Sequence, residues 1–227
     1  MTAVEIAINC AGLLLALSLV AIAASRFRFA SGIIYAVTII PCALAGIAGL
    51  MVLIGHFGQS SSVLPIGLPW LGAHFRMDAL SALFLLIIGL GGAITSLYAI
   101  GYGRHEAEPG RVLPFYPAFL GAMVLVILAD DAFTFLVLWE VMSLLSWALV
   151  LAHHRAAGTQ KAAYVYIVMA GFGTMTLLLA FGLLVGAEGA YDFETIRAGA
   201  RSPVVAAIIL ILIVLGAGSK AGLAPLH

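Results

Sequence analysis

The sequence predicts an all-α polytopic membrane protein with about seven transmembrane helices, the last one broken and truncated. Three observations predict this fold class. Of the 227 residues, 64% are hydrophobic and 9% are charged, whereas a soluble globular domain carries about 25% charged residues. About seven apolar stretches are long enough to cross the roughly 30 Å of bilayer hydrocarbon as helices. These stretches also lack the apolar–polar alternation that the strands of a membrane β-barrel need.

The predicted spans follow one another along the chain and are separated by polar connectors. They cover approximately Val4–Ala24, Gly32–Gly55, Asp78–Gly101, Val112–Ala129, Asp131–Ala152, Ala162–Gly186 and Pro203 onward. The first stretch has Glu5 at its start instead of a basic cluster, and its length suits a span. We therefore interpret it as a retained helix and not as a signal peptide.

Polar residues and a proline mark several predicted helix ends. Asp78 is placed to cap the third helix, and Asp130 or Asp131 to cap the fifth. A carboxylate at a helix amino terminus accepts backbone hydrogen bonds and interacts favourably with the helix dipole. Pro203 suits the first turn of the last helix, because proline lacks only a donor that would be unpaired there.

Two connectors are longer than the others. Within residues 56–77, the stretch AHFRM (73–77) alternates apolar and polar residues, which predicts a short strand or hairpin outside the membrane. Within residues 187–202, the stretch YDFETIRAGA carries apolar residues among charged ones, which predicts a short interfacial helix.

Basic residues are unequally divided between the two sides of the predicted bundle. One side receives Arg26, Arg28, Arg104, Arg111, Arg155 and Lys161, and the other receives Arg76, Arg197 and Arg201. Cytoplasmic connectors of membrane proteins carry the excess of lysine and arginine. The imbalance therefore predicts that the first side faces the cytoplasm and that the amino terminus of this multi-pass protein lies outside.

Metal, nucleotide and nucleic-acid sites are not predicted. The net charge of zero gives no electrostatic reason to bind nucleic acid. Cys10 and Cys42 lie inside apolar runs without metal-type spacing, so we interpret them as buried packing residues. His56, His74 and His105 are scattered without the HxxxH or HExxH spacing of metal sites. No glycine-rich dinucleotide or phosphate loop occurs, so no cofactor is expected.

Glu140 is a charged residue inside an apolar span. It lies nine residues into the fifth span, roughly 13 Å deep. A charge at this depth costs a few kcal/mol, and such residues usually face a bundle interior or a water-filled cavity. In one interpretation a protonated Glu140 joins Ser143 and Ser146 in a network that only holds helices together. In the other it is a proton-transfer site, because burial disfavours the charged carboxylate while a nearby ammonium favours it.

Lys220 is the second charge in an apolar span. On a straight helix from Pro203 it would lie about 26 Å along the axis, and its ammonium could then reach the head groups. The surrounding GAGSKAGLAP contains three glycines and Pro225, which predict a kinked or unwound helix. Broken helices recur at the ion sites of transporters, so we interpret Lys220 as a proton-transfer residue.

Several weaker features have two interpretations each. His153, His154, Arg155 and Lys161 cluster between the fifth and sixth spans. They form either a solvated cytoplasmic loop or a funnel through which protons enter, since histidine titrates near working pH. Gly182 and Gly186 form a GxxxG pair, which usually indicates close helix packing.

The chain resembles the antiporter-like subunits shared by respiratory complex I, Mrp-type cation/proton antiporters and membrane-bound hydrogenases. The matching stretches are FRMDALSALF (75–84), LWEVMSLLSWALV (138–150) and GSKAGLAPLH (218–227), and the resemblance covers essentially the whole chain. SLYAIGYGRH (96–105) and WEVMSLLSW look closest to the hydrogenase 4 branch of this family, whose member is also described as formate hydrogenlyase subunit 3.

The resemblance implies roles for the two buried charges. In this family a glutamate on the fifth core helix pairs with a lysine on a later, broken helix, and these positions correspond to Glu140 and Lys220. The pair is expected to change its separation in a proton channel. Energy comes from a redox or hydrogenase arm elsewhere in the complex, or from a sodium gradient in the antiporters. The subunit itself is expected to hold no cofactor and to have no active site.

The resemblance also implies that the chain is incomplete. Family members continue with a second, inverted set of helices, so residues 1–227 are expected to be the amino-terminal portion of the domain, with core helices at about 78–227. The expected partners are other membrane subunits, the carboxy-terminal half of the same subunit, and the lipid bilayer. Two alternatives stay open: an Mrp-type sodium/proton antiporter subunit, and a scaffold that anchors a redox arm without transporting ions.

Overall fold

A computed structural model describes residues 1–27, 29–103, 106, 108–186 and 191–223 of the chain. Its helices group into two compact units, Met1–Ala129 and Asp130–His227. Arg28 and Arg104, which contributed to the predicted orientation, lie outside the described residues, as do His105 and Pro225.

The first unit contains four long helices and one hairpin. Its elements are α1 (Ala3–Ala24), α2 (Ala30–Leu53), β1 (Ser60–Leu64), β2 (Ala73–Met77), α3 (Ala79–Tyr102), a 3-10 turn (Pro109–Arg111) and α4 (Phe115–Leu128). The second unit contains α5 (Ala132–Val150), a 3-10 turn (Leu151–His153), α6 (Thr159–Val185), α7 (Phe193–Ala198) and α8 (Pro203–Ala221).

The fold class predicted from the sequence is confirmed. Within the described residues, seven helical segments are long and apolar enough to cross a membrane, and the short α7 is not among them. Most large exposed side chains on these helices are leucine, isoleucine, valine or aromatic. Such a surface suits lipid or a neighbouring membrane helix, because lipid tails do not penalise exposed apolar groups.

Helix ends follow the capping chemistry expected from the sequence. The Asp78 side chain accepts a hydrogen bond from the Ser81 amide at 2.9 Å at the start of α3. At the start of α5 the capping residue is Asp131, whose carboxylate accepts from the Thr134 amide at 2.7 Å. Asp131 is completely buried, so this cap is shielded from solvent.

The hairpin was predicted from one strand only. β2 has the expected alternation, with Ala73, Phe75 and Met77 buried and the residues between them half-buried. Its antiparallel partner β1 pairs Ser60 with Met77 and Leu64 with Ala73. The sequence of β1, SSSVL, has no alternation of apolar and polar residues, so its pairing with β2 could not be predicted from the sequence.

The last helix ends at Gly222. α8 continues through Gly216 and Gly218 to Ala221 without interruption, and Gly222 then adopts φ +73°. A residue with a side chain rarely adopts this left-handed conformation, so glycine at this position terminates the helix. The helix therefore ends after Ala221, one residue beyond Lys220, and the two earlier glycines belong to the regular helix.

Two pairs of helices approach so closely that only glycine fits between them. In the first unit, a β-carbon at Gly89 of α3 would lie 2.5 Å from the amide nitrogen of Gly46 on α2. In the second unit, a β-carbon at Gly173 of α6 would lie 2.5 Å from Ser219 Oγ on α8. The GxxxG pair singled out in the sequence makes no such contact among the described residues, where a β-carbon at Gly182 or Gly186 would meet nothing within 4 Å.

Candidate proton-transfer site

The helices of the second unit bring both half-buried charged residues, Glu140 and Lys220, into one polar site. α6 packs against both α5 and α8. Close contact between Gly173 on α6 and Gly216 on α8 brings the last turn of α8 against α6. Lys220 lies one turn beyond Gly216, so its side chain can extend between α5 and α6.

The ammonium of Lys220 is held by two hydroxyl groups. Its Nζ donates to Ser143 Oγ on α5 at 2.7 Å and to Tyr166 Oη on α6 at 2.8 Å. The same nitrogen lies 5.1 Å from the Tyr166 ring centroid and 5.9 Å from that of Trp139. Both distances are within the range at which an aromatic face attracts a cation.

The carboxylate of Glu140 has a separate partner. Its Oε2 accepts a hydrogen bond from Thr174 Oγ1 on α6 at 2.6 Å. Glu140 and Lys220 are both among the described residues, and Lys220 Nζ lies more than 4.0 Å from either carboxylate oxygen of Glu140. The two charges thus share a site without forming an ion pair in this structure, and Ser143, one helical turn after Glu140, contacts the lysine instead.

Hydroxyl groups extend the site along α5. Tyr166 Oη, which accepts from Lys220, donates in turn to Ser146 Oγ at 2.9 Å. Ser143 Oγ donates to the Trp139 carbonyl at 2.8 Å. These contacts produce a continuous row of hydrogen bonds from the ammonium to Ser146. Such a row can pass a proton, because every hydroxyl is both a donor and an acceptor.

A cavity of about 550 Å³ opens beside the end of α8. Its lining includes Lys161 near the start of α6, Tyr166 one and a half turns further, and Lys220 with Gly222 from α8. Lys161, one of the four clustered residues interpreted as a possible proton funnel, therefore borders the same cavity as Lys220. His153, His154 and Arg155 do not line it: His153 and Arg155 are exposed, and His154 is half-buried with its Nδ1 atom unpaired in the interior.

Sequence reasoning identified four members of the site and missed three. Glu140, Lys220, Ser143 and Ser146 were singled out by charge or by their spacing on α5. Tyr166, Thr174 and Trp139 were not recognised, because an apolar span tolerates each of these residue types on any face. The phenol group of Tyr166 deep in α6 was the one available signal.

Among the described residues, no group of three or more His, Cys, Asp or Glu side chains could hold a metal ion.

Residues 129–227 match the family described as "NADH:quinone oxidoreductase/Mrp antiporter, TM". An uncharacterized protein of Mycobacterium tuberculosis is 38% identical over 186 residues, which are 80% of this chain and 28% of that protein. Hydrogenase-4 component B of Escherichia coli is 37% identical over 154 residues, 67% of this chain and 23% of that protein. The chain thus spans less than a third of the length of either relative.

A solved structure shares the fold. A chain of respiratory complex I from Thermus thermophilus with bound NADH superposes with a TM-score of 0.75 at 21% sequence identity. The superposition covers 97% of this chain and 45% of the other.

Proposed function

Because residues 129–227 belong to the family of antiporter-like membrane subunits, we propose that this chain is part of a proton-translocating subunit. In this proposal, protons move through Glu140 and Lys220, and the energy comes from redox chemistry in other subunits of a membrane-bound hydrogenase or complex I-like oxidoreductase. The match to hydrogenase-4 component B supports the hydrogenase assignment.

The observation that carries the proposal is the hydrogen-bonded position of the Lys220 ammonium inside an apolar helix bundle. The ammonium contacts Ser143 and Tyr166, and a row of hydroxyls continues from it to Ser146. A lysine with only a structural or snorkelling role has no need for such a row, because snorkelling directs the ammonium to the head groups. Lys220 instead points its donors into the bundle.

The separation of the two charges gives the site a way to bind and release a proton. When the carboxylate and the ammonium approach each other, Coulomb attraction stabilises both charged forms, and the attraction is strong in a medium of low dielectric constant. When they move apart, that stabilisation is lost, so the lysine gives up a proton or the glutamate takes one up. The present structure corresponds to a separated arrangement.

The proposal includes a direction across the membrane. The excess of basic residues on one set of connectors favours an amino terminus outside and an α5–α6 connector in the cytoplasm, as expected for a subunit of a bacterial inner membrane. Protons would then enter near His153, His154 and Lys161. The cavity that joins the Lys161 position to Lys220 supports this route. The expected partners are the other membrane subunits of the complex and the remaining half of the subunit.

The proposal is tested by neutralising each member of the pair in the full-length assembly. Glu140→Gln and Lys220→Ala should each reduce proton transport by about 100-fold or more, the scale of a lost acid–base group. Glu194→Gln is the matched control, because Glu194 is an exposed residue in the first turn of α7. The mechanism would be wrong if both variants of the pair pumped like the control.

A second candidate is a sodium/proton antiporter subunit, which is favoured by the Mrp antiporters in the description of the matching family. Vesicles that contain the assembly distinguish the two candidates. Transport that responds to an imposed sodium gradient and ignores redox substrates would favour the antiporter. If neither the wild-type assembly nor the variants transport protons or sodium, and the variants assemble poorly, the chain is a scaffold.

A further inference from the structure

We propose that Thr174 and Tyr166 are positioning residues on α6 that hold Glu140 and Lys220 apart, an inference that rests on the proton-transfer function proposed above. Thr174 bonds the carboxylate and Tyr166 bonds the ammonium. The two residues are eight positions apart on one continuous helix, a rise of about 12 Å. A single rigid element therefore supplies separate docking points for the two members of the pair.

The hydroxyl of Thr174 has a second acceptor besides its usual backbone partner. A threonine inside a helix normally donates to the carbonyl three or four residues earlier. Thr176, two residues further along α6, does so, with contacts of 2.9 Å and 3.1 Å to backbone carbonyls. Thr174 Oγ1 lies 3.2 Å from the Ala170 carbonyl oxygen and 2.6 Å from Glu140 Oε2, so the carboxyl group of Glu140 is its nearer acceptor.

Both hydrogen-bonding roles of the Tyr166 hydroxyl are in use. The oxygen accepts from Lys220 Nζ, and its own hydrogen points to Ser146 Oγ. Ser146 therefore fixes the rotation of the phenol O–H, so that a lone pair faces the ammonium. Tyr166 thus offers Lys220 a dock that competes with the carboxylate of Glu140.

The hydroxyl contacts and the attraction between the two charges compete, so Glu140 and Lys220 are in equilibrium between a separated and a joined arrangement. Tyr166 and Thr174 stabilise the separated arrangement seen in this structure, whereas Coulomb attraction favours the joined arrangement. Removing one hydroxyl should shift this equilibrium towards the joined pair by about tenfold or more, the effect of one hydrogen bond to a charged group. A residue that served only to pack α6 would not have this effect.

Matched variants isolate each hydroxyl. Thr174→Val removes the donor and keeps the shape, Thr174→Ser restores the donor, and Thr174→Ala serves if valine disturbs assembly. Tyr166→Phe removes the hydroxyl and keeps the ring. Tyr164→Phe is the control for it, because Tyr164 lies on the same helix with its side chain 67% exposed.

The experiment measures the infrared bands of the Glu140 carboxyl in the full-length assembly, identified by their loss in Glu140→Gln, together with proton transport. We expect Thr174→Val and Tyr166→Phe to shift these bands and to change transport about tenfold or more, with Thr174→Ser and Tyr164→Phe resembling wild type. Unchanged bands in Thr174→Val and Tyr166→Phe would overturn the positioning role.

The two readouts separate this inference from the proposed function. If Glu140→Gln and Lys220→Ala abolish transport while the α6 variants leave bands and transport unchanged, the positioning role alone is wrong. If the α6 variants shift the bands while transport survives neutralisation of the pair, the positioning role stands and the proposed proton pathway fails.

Discussion

Replacing Gly216 by alanine should push α8 away from α6 and disturb the position of Lys220. A β-carbon at this position would lie 2.7 Å from Leu177 Cγ, 2.7 Å from Thr176 Oγ1 and 3.0 Å from the Gly173 carbonyl oxygen. Ordinary van der Waals contact begins at 3.4 Å, so the two helices would have to separate by about 0.4–0.7 Å. The carbonyl and the branch point of Leu177 cannot yield as the end of a flexible side chain can.

The magnitude follows from two opposing terms. Glycine to alanine within a helix gains about 0.8–1 kcal/mol of propensity. Overpacking of a close contact typically costs about 1–3 kcal/mol. Gly182→Ala on α6 is the matched control, because it gains the same propensity and its new β-carbon would meet nothing within 4 Å. The free energies of unfolding of the two variants should therefore differ by about 1–3 kcal/mol.

Thermal unfolding in lipid nanodiscs measures this difference through tryptophan fluorescence. With about 2–4 °C per kcal/mol for a chain of this size, Gly216→Ala should melt at least about 2 °C below Gly182→Ala. Proton transport should fall in parallel, because Lys220 lies one turn from the new methyl group. Equal melting temperatures of the two variants would refute the reasoning that the Gly173–Gly216 contact sets the distance between α6 and α8.

Two further predictions concern the first unit. Gly89→Ala should destabilise the protein by about 2 kcal/mol or more relative to Gly91→Ala, since its β-carbon would lie 2.5–2.6 Å from backbone atoms of α2 and that of Gly91 would meet nothing within 4 Å. Similar melting curves for the two variants would contradict this. Burial raises the pKa of Asp78, but hydrogen bonds from Ser81 and the nearby Arg76 outweigh it and hold the pKa below the usual value of about 3.9. The charge therefore stabilises the fold above that value and ceases to do so as the pH falls through the lower folded pKa. The melting-temperature advantage over Asp78→Asn, which can still cap the helix, should shrink between about pH 5 and pH 2, and a constant difference would show that the charge of Asp78 has no such role.

The membrane spans and the two charged residues inside them could be predicted because the signals for them are local. A run of about 20 apolar residues has to be a spanning helix, since no other single segment satisfies its own backbone in lipid. Glu140 and Lys220 stand out for the same reason, because a charge inside such a run is costly wherever the helix packs. The caps at Asp78 and Asp131 also depend only on neighbouring residues.

The helix contacts could not be predicted in this way. The spacing of Gly182 and Gly186 suggested a packing face, yet the close contact is made by Gly173 and Gly216, which belong to different helices. Small residues permit close approach, but only the arrangement of the partner helix decides which of them are used. The hairpin shows the same limit, because the alternation of β2 was visible in the sequence and its partner β1 was not.

The amino-acid sequence by itself determined the number of spans, the family resemblance and the two charged residues inside the spans, because hydrophobic length and a charge within an apolar run do not depend on what packs against them. Only the tertiary structure decided how that pair is held. It assigned Glu140 to Thr174 and Lys220 to Ser143 and Tyr166. Hydrogen bonds between α5, α6 and α8 depend on the rotation and depth of each helix, and these are set by packing between residues far apart in the chain.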